Sequence, residues 1–221
     1  MKKKIKNLHL AVLPPDGRVR VSAPETLSYE AIILFTKTKI GWIRKQQEKF
    51  QRQPRQTERQ YVSGETLYVW GKQYFLQVDF SYKGNALVLS GDKALLTVRK
   101  ESTAKQREAF VNEWYRGLLK EQIEKYLPIW EQSTGLHCSA WQTKYMTTRW
   151  GTCNTNSGKI WFNLQLAKKP PECLEYVILH ELTHLKIRNH GKDFVAFMDE
   201  HMPYWREKRK MLNDSTLDYM E

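Results

Sequence analysis

Apolar and polar residues alternate along residues 5–24, and Pro14-Pro15-Asp16-Gly17 breaks the alternation midway. The pattern predicts two short strands around a turn. Ser28 is a residue type that caps helices, and Ile32, Phe35, Ile43 and Phe50 then share one face. This predicts one helix running to about Phe50. Residues 51–60 (QRQPRQTERQ) offer no apolar anchor and read as an exposed connector. Four apolar stretches follow between Tyr61 and Val98, punctuated by Gly64, Gly71, Gly84 and Gly91-Asp92. They predict three or four strands.

From about residue 104 the period changes. Val111, Trp114, Tyr115, Leu118, Leu119 and Tyr126 form a broad helical stripe, predicting a helix over roughly 104–127 with Pro128 ending it or falling in its last turn. Residues 139–150 and 159–166 read as a pair of strands, with the turn at Asn154–Gly158. Pro170-Pro171-Glu172 has the proline and acid that helix starts prefer. The tail from Asp193 reads as helical or mixed. The fold class is therefore α+β, with a β-rich N-terminal region carrying one helix.

Composition narrows the possibilities. No run of eighteen apolar residues exists, which excludes a helical membrane span and leaves no membrane partner. Met1-Lys2-Lys3-Lys4 is basic but is followed by no apolar signal core. Three cysteines (Cys138, Cys153, Cys173) do not make a disulfide framework and fit a reducing, cytoplasmic setting. The net charge is +12, and it is uneven: residues 1–100 hold 19 basic and 8 acidic residues, residues 101–221 hold 17 and 16. This asymmetry suggests a basic N-terminal region, 1–102, and a second region, 103–221. It also suggests an anionic partner for the first, although a solvated basic face would serve solubility equally.

The chemistry lies in the second region. His180-Glu181-Leu182-Thr183-His184 is an H-E-x-x-H sequence. On a helix, residues i and i+4 lie about 40° apart, so both imidazoles reach one ion while Glu181 addresses a water beside it. A chain of this composition yields only about 0.01 accidental matches. The surrounding Tyr176–Leu182 is apolar almost all round, which predicts a buried helix. Two histidines and a glutamate inside it are costly unless something such as a metal satisfies them.

Catalytic zinc takes three protein ligands and leaves a fourth position for water. His190, ten residues after His180, is the favoured third ligand, with Asp199 or Glu200 as rivals. On one continuous helix His190 would stand about 80° away from His180 and about 15 Å along the axis. The helix must therefore end between His184 and His190, with a left-handed turn expected at Asn189. Zn²⁺ would acidify a water, and Glu181 would act as general base and proton shuttle. Arg149, Tyr145 and Tyr204 are candidates for oxyanion support. Thr148–Cys153 predicts a strand that could form the sheet edge along which a peptide lies. Trp150 and Gly151 could equally form a structural corner, with Gly151 at an unusual backbone angle. Cys153 is a possible further metal ligand.

The stretch His180 to Phe194 (H-E-L-x-H-L-x-x-x-N-H-G-x-x-F), Arg149-Trp150-Gly151-Thr152-Cys153 and Met202-Pro203-x-Trp205 resemble the YgjP-like zinc metallopeptidases, relatives of the SprT-like proteins. Pro24, Trp42-Ile43 and Val62–Glu65 resemble that family's N-terminal motifs; Thr152 stands where the family usually has Ser. The resemblance implies a compact zincin-like catalytic domain, with His180, His184 and His190 as zinc ligands and Glu181 as acid/base. It makes a zinc-dependent peptidase acting on protein or peptide substrates the leading expectation. The alternative is a nucleic-acid-binding protein with a structural or vestigial zinc site. Its support is the basic cluster Lys37, Lys39, Arg44, Lys45, Lys49, Arg52, Arg55 and Arg59 around Trp42 and Phe50. The two combine in a protease acting on DNA-bound proteins, by analogy with SprT-like relatives.

Overall fold

The computed structural model describes residues 2–3, 5–13, 17–52 and 59–214. The described residues divide into two compact units, one within residues 1–57 and one within residues 58–215. This grouping by packing differs from the division at 102/103 drawn from charge.

In the first unit, β2 (His9–Leu13) and β3 (Arg18–Pro24) form the expected antiparallel pair, and β1 (Lys2–Lys3) runs parallel to β3. Of the expected turn only Gly17 falls within the described residues. It has φ +73°, and its carbonyl accepts from Gln47 Nε2 at 3.0 Å. The expected single helix is two: α1 (Tyr29–Thr38) and α2 (Ile40–Arg52). Ser28 caps α1 by accepting from Ala31 N at 3.2 Å. The break follows from local chemistry. Thr36 and Thr38 turn their hydroxyls back to the carbonyls of Ile32 and Phe35, and Gly41 follows directly. Such bonds and a glycine both weaken a continuous helix. The side chain of Phe50 and most of the 51–60 connector lie outside the described residues.

The second unit starts with a four-stranded sheet in the order β4-β5-β7-β6: β4 (Thr66–Val69), β5 (Lys72–Phe80), β6 (Ala86–Ser90) and β7 (Lys93–Val98). The β4–β5 turn is Trp70-Gly71, with φ +49° and +82°, the two left-handed residues a tight hairpin demands. Gly71 is needed twice over, because a Cβ there would meet Pro170 Cγ at 2.8 Å. Trp70 and Gly71 donate to the carbonyls of Ala167 and Lys168, which ties the hairpin to the start of the site helix.

Helix α3 (Ala104–Thr134) carries a Thr103–Gln106 capping box and ends on Gly135 in left-handed conformation. Val111, Tyr115, Leu119, Ile123 and Leu127 form its buried ridge. The helix runs past Pro128, beyond the expected end. A mid-helix proline costs about 3 kcal/mol. The last turn offsets this by packing Trp130 on the core and donating its indole N–H to Glu175 at 3.2 Å.

Of the expected strand 139–150 only β8 is strand, and a separate strand, β9, follows at the opposite edge of one sheet, ordered β8-β10-β9. β8 (Ala140–Lys144) is parallel to β10 (Lys159–Asn163), and β9 (Gly151–Asn154) is antiparallel to it. Residues 145–150 must cross from one edge to the other, so they cannot be strand. β10 stops at Asn163, whose side chain accepts from Gln165 N and starts a 3-10 helix, Leu164–Lys168. Helices α4 (Pro171–Lys186), α5 (Lys192–His201) and α6 (Trp205–Asp214) complete the unit. Both sheets, α3 and α4 contribute to one apolar core.

Candidate metal centre

Helix α4 is apolar almost all round, and Leu174, Ile178, Leu179 and Leu182 are fully buried in the core. That burial fixes the helix in rotation and so fixes where His180, Glu181 and His184 point. The helix ends as the third histidine requires, though not where expected. Asn189 has no left-handed backbone, and neither has Gly191. Ile187 instead leaves the helix in extended conformation (φ −124°, ψ 105°) while its N–H still bonds Thr183 O at 2.8 Å. A β-branched residue favours that conformation. The chain then swings His190 back toward His180.

The structure brings the three histidines together. One nitrogen from each of His180, His184 and His190 lies within 4.8 Å of the others, and His180 Nε2 faces His190 Nε2 at 3.1 Å. Tetrahedral zinc with Zn–N of about 2.05 Å would set such nitrogens about 3.4 Å apart. Burial and the two neighbouring histidines push His180 down to about 3, and burial also lowers His184. Two neutral imidazoles facing nitrogen to nitrogen repel unless a proton or cation lies between them, so the donor set fits a divalent metal. The ring orientations are held from behind. His184 Nδ1 lies 3.0 Å from Ile187 O and donates to it, which directs Nε2 to the centre. His180 Nδ1 lies 3.4 Å from the Tyr176 hydroxyl. Tyr176 in turn stacks on Trp205 of α6, 6.2 Å between centroids and 3° from parallel. Fully buried Phe194 supports all three rings, at 5.0, 5.0 and 4.7 Å.

Glu181 is 5% exposed, and burial pushes its carboxyl up to about 8 while Arg149 pulls it down. It rests against Gly151. Gly151 lies in β9 without a left-handed φ, so its role is steric rather than the unusual angle expected. The crossing loop that delivers Gly151 is pinned by Asn163. Its Nδ2 donates to the carbonyls of Met146 (2.8 Å) and Arg149 (2.7 Å), and its Oδ1 accepts from the N–H groups of Met146 and Gln165. Every hydrogen-bonding position of this buried amide is used.

The remaining sequence candidates separate. Among the described residues the metal-capable group is the three histidines alone. Asp199 is engaged by Trp205 Nε1 at 2.8 Å and by Arg206, and Glu200 is exposed. Cys153 lines the same cleft, but burial raises its thiol to about 11. Trp150 is half-buried against the core, with Lys169 Nζ 5.6 Å from its ring centre. Arg149 lines the cleft; Tyr145 and Tyr204 do not. The cleft measures about 520 Å³ and is bordered by edge strand β9. Tyr176, Asn163, Arg188 and Arg209 are site residues that sequence reasoning missed. Tyr176 was readable as the i−4 neighbour of His180 and Arg188 from its place between His184 and His190, whereas Asn163 and Arg209 are brought in by tertiary contacts.

A profile described as YgjP-like, metallopeptidase domain matches residues 6–215. The chain belongs to the YgjP-like metallopeptidase family. The match spans both compact units of this YgjP-like metallopeptidase. Among solved structures, the metallopeptidase zymogen abylysin of Pyrococcus abyssi is similar at 16% identity, with a TM-score of 0.39, covering 44% of this chain and 99% of that one. The zymogen jannalysin of Methanocaldococcus jannaschii is similar at 22% identity, with a TM-score of 0.38, covering 42% and 94%. No curated protein matches the chain. No described helix is long and apolar enough to cross a membrane.

Proposed function

We propose that this metallopeptidase is a cytoplasmic, zinc-dependent enzyme that hydrolyses peptide bonds, with His180, His184 and His190 as the metal ligands and Glu181 as the general base. The observation that carries the reading is the convergence of three imidazole nitrogens beside a buried carboxylate. Bound zinc would supply an acidified water and a polarised carbonyl. Glu181 takes the proton of the attacking water and delivers it to the leaving amine nitrogen. The peptide lies along the edge of β9, whose main chain offers the pairing groups of an edge strand. Arg149, which lines the cleft, supports the developing oxyanion in this reading, and Asn163 bonds the carbonyl of Arg149 in the crossing loop.

Glu181→Gln tests the assignment: the variant keeps its metal and loses turnover. Loss of metal in that variant would count against a base that is not a ligand.

A second reading adds a nucleic-acid partner. Its support is that Lys37, Lys39, Arg44, Lys45 and Trp42 of the first unit are all exposed. DNA affinity that falls steeply with salt would support it, and salt-independent binding would remove it.

A further inference from the structure

The cleft over the three histidines is unusually cationic. Three arginines line it from three separate places: Arg149 on the β8–β9 crossing loop, Arg188 just after α4, and Arg209 on α6. Among the described residues the only lining carboxylate is Glu181, which is buried. Among the described residues no carboxylate forms an ion pair with any of the three arginines. Two arginines outside the cleft do have an acid beside them: Arg116 has Glu113, and Arg206 has Asp199. Arg206 and Arg209 lie three residues apart on the same helix, and only Arg206, outside the cleft, has an acid supplied. Arg188 is steadied by a hydrogen bond from its guanidinium to Asn156 Oδ1 at 3.3 Å, which leaves its other donors available. A guanidinium presents a fork of donors matched to a carboxylate. Guanidinium forks lining a concave site, with no ion-paired acid among the described residues, select an anion, and the anionic group that a peptide carries is a carboxylate.

We infer that Arg188 and Arg209 bind a carboxylate of the peptide substrate, so that the cleft prefers chains bearing an acidic side chain or a free C-terminus near the scissile bond. The inference rests on the peptidase reading and adds its substrate class. Arg188 and Arg209 are both exposed, so their replacement leaves the core intact.

The test uses the full zinc-supplemented chain and matched peptides. One set has an amidated C-terminus and carries Glu or Gln at single positions along the sequence. The second carries Gln throughout, with a free or amidated C-terminus. Wild type is compared with Arg188→Gln and Arg209→Gln, with thermal unfolding as a check on folding. Binding of the same peptides to chelator-treated protein is followed by fluorescence anisotropy.

A charge-assisted contact corresponds to at least about a tenfold preference in kcat/KM and in affinity. The Glu-over-Gln ratio should fall toward one in at least one arginine variant, mainly through KM. A preference confined to free C-termini would assign the terminal carboxylate, and one confined to internal Glu a side chain. Cleavage of all peptides alike would overturn the inference while the peptidase reading stands. No cleavage, but tighter binding of carboxylate peptides, would overturn the peptidase reading and keep the arginine site. Displacement of bound peptide by single-stranded DNA but not by excess acidic peptide would overturn the inference in favour of a nucleic-acid ligand.

Discussion

A Cβ atom on Gly151 would stand 2.6 Å from Glu181 Oε1 and 2.9 Å from its Cδ. The edge strand and the site helix are thus in contact through the absence of one methyl group, and the position of the proposed base is set by that gap. Gly151→Ala forces the carboxylate aside while the helix stays in place. We expect turnover to fall by about 10²-fold, with metal content and melting temperature close to wild type. Steady-state kinetics with elemental analysis checks this; unchanged kcat would show that Glu181 need not occupy that position.

Phe194 touches all three imidazoles and is 2% exposed. Phe194→Ala should cost about 3–5 kcal/mol of stability and weaken metal binding. Urea unfolding with and without chelator separates the two effects. A loss of stability with metal affinity unchanged would show that the floor serves packing only.

Tyr176→Phe keeps the stack on Trp205 and removes the hydroxyl facing His180 Nδ1. Groups that orient a ligating histidine typically contribute about 10–100-fold in metal affinity. We expect a loss at the low end of that range, given the 3.4 Å separation. Competition with a zinc chelator measures it.

Lys168 and Lys169 follow the site sheet and precede α4. Burial lowers them to about 7 and about 8 from an ordinary 10.5. Between the folded and unfolded values the unfolded chain binds more protons, so this contribution to stability rises with pH. Wild type should therefore gain stability relative to Lys168→Met between pH 7 and pH 9. Taking the difference removes Glu181 and the thiols, which titrate over overlapping ranges. Denaturant midpoints across that range check the sign, and a flat or falling difference would contradict it.

Much of this was legible in the chain because the signals were local. Ser28 and Pro171 mark helix starts through their own chemistry, and the four strands of residues 66–98 sit between glycine turns. The histidine triad was readable because two histidines share a helix face and the third lies ten residues after the first. Most of what was missed depends on partners distant in sequence; the end of α4 is the local exception. The end of β8 at Lys144, short of residue 150, follows from the crossing to the other edge of β10, which single-strand alternation does not encode. Pro128 is tolerated because Trp130 finds Glu175 forty-five residues later. Ile187 ends α4 without a glycine because His184 and Thr183 hold it from within the same turn. Asn163, inconspicuous at a strand end, holds the loop that carries Arg149 and Gly151.

The claim on which the rest depends is that His180, His184 and His190 hold one metal ion. Elemental analysis of tag-free protein, on wild type and His190→Ala in parallel, tests it most directly. About one zinc per chain in wild type, lost or much weakened in the variant, is the expected result. No metal in wild type after zinc is added back, or full retention in His190→Ala, would contradict it.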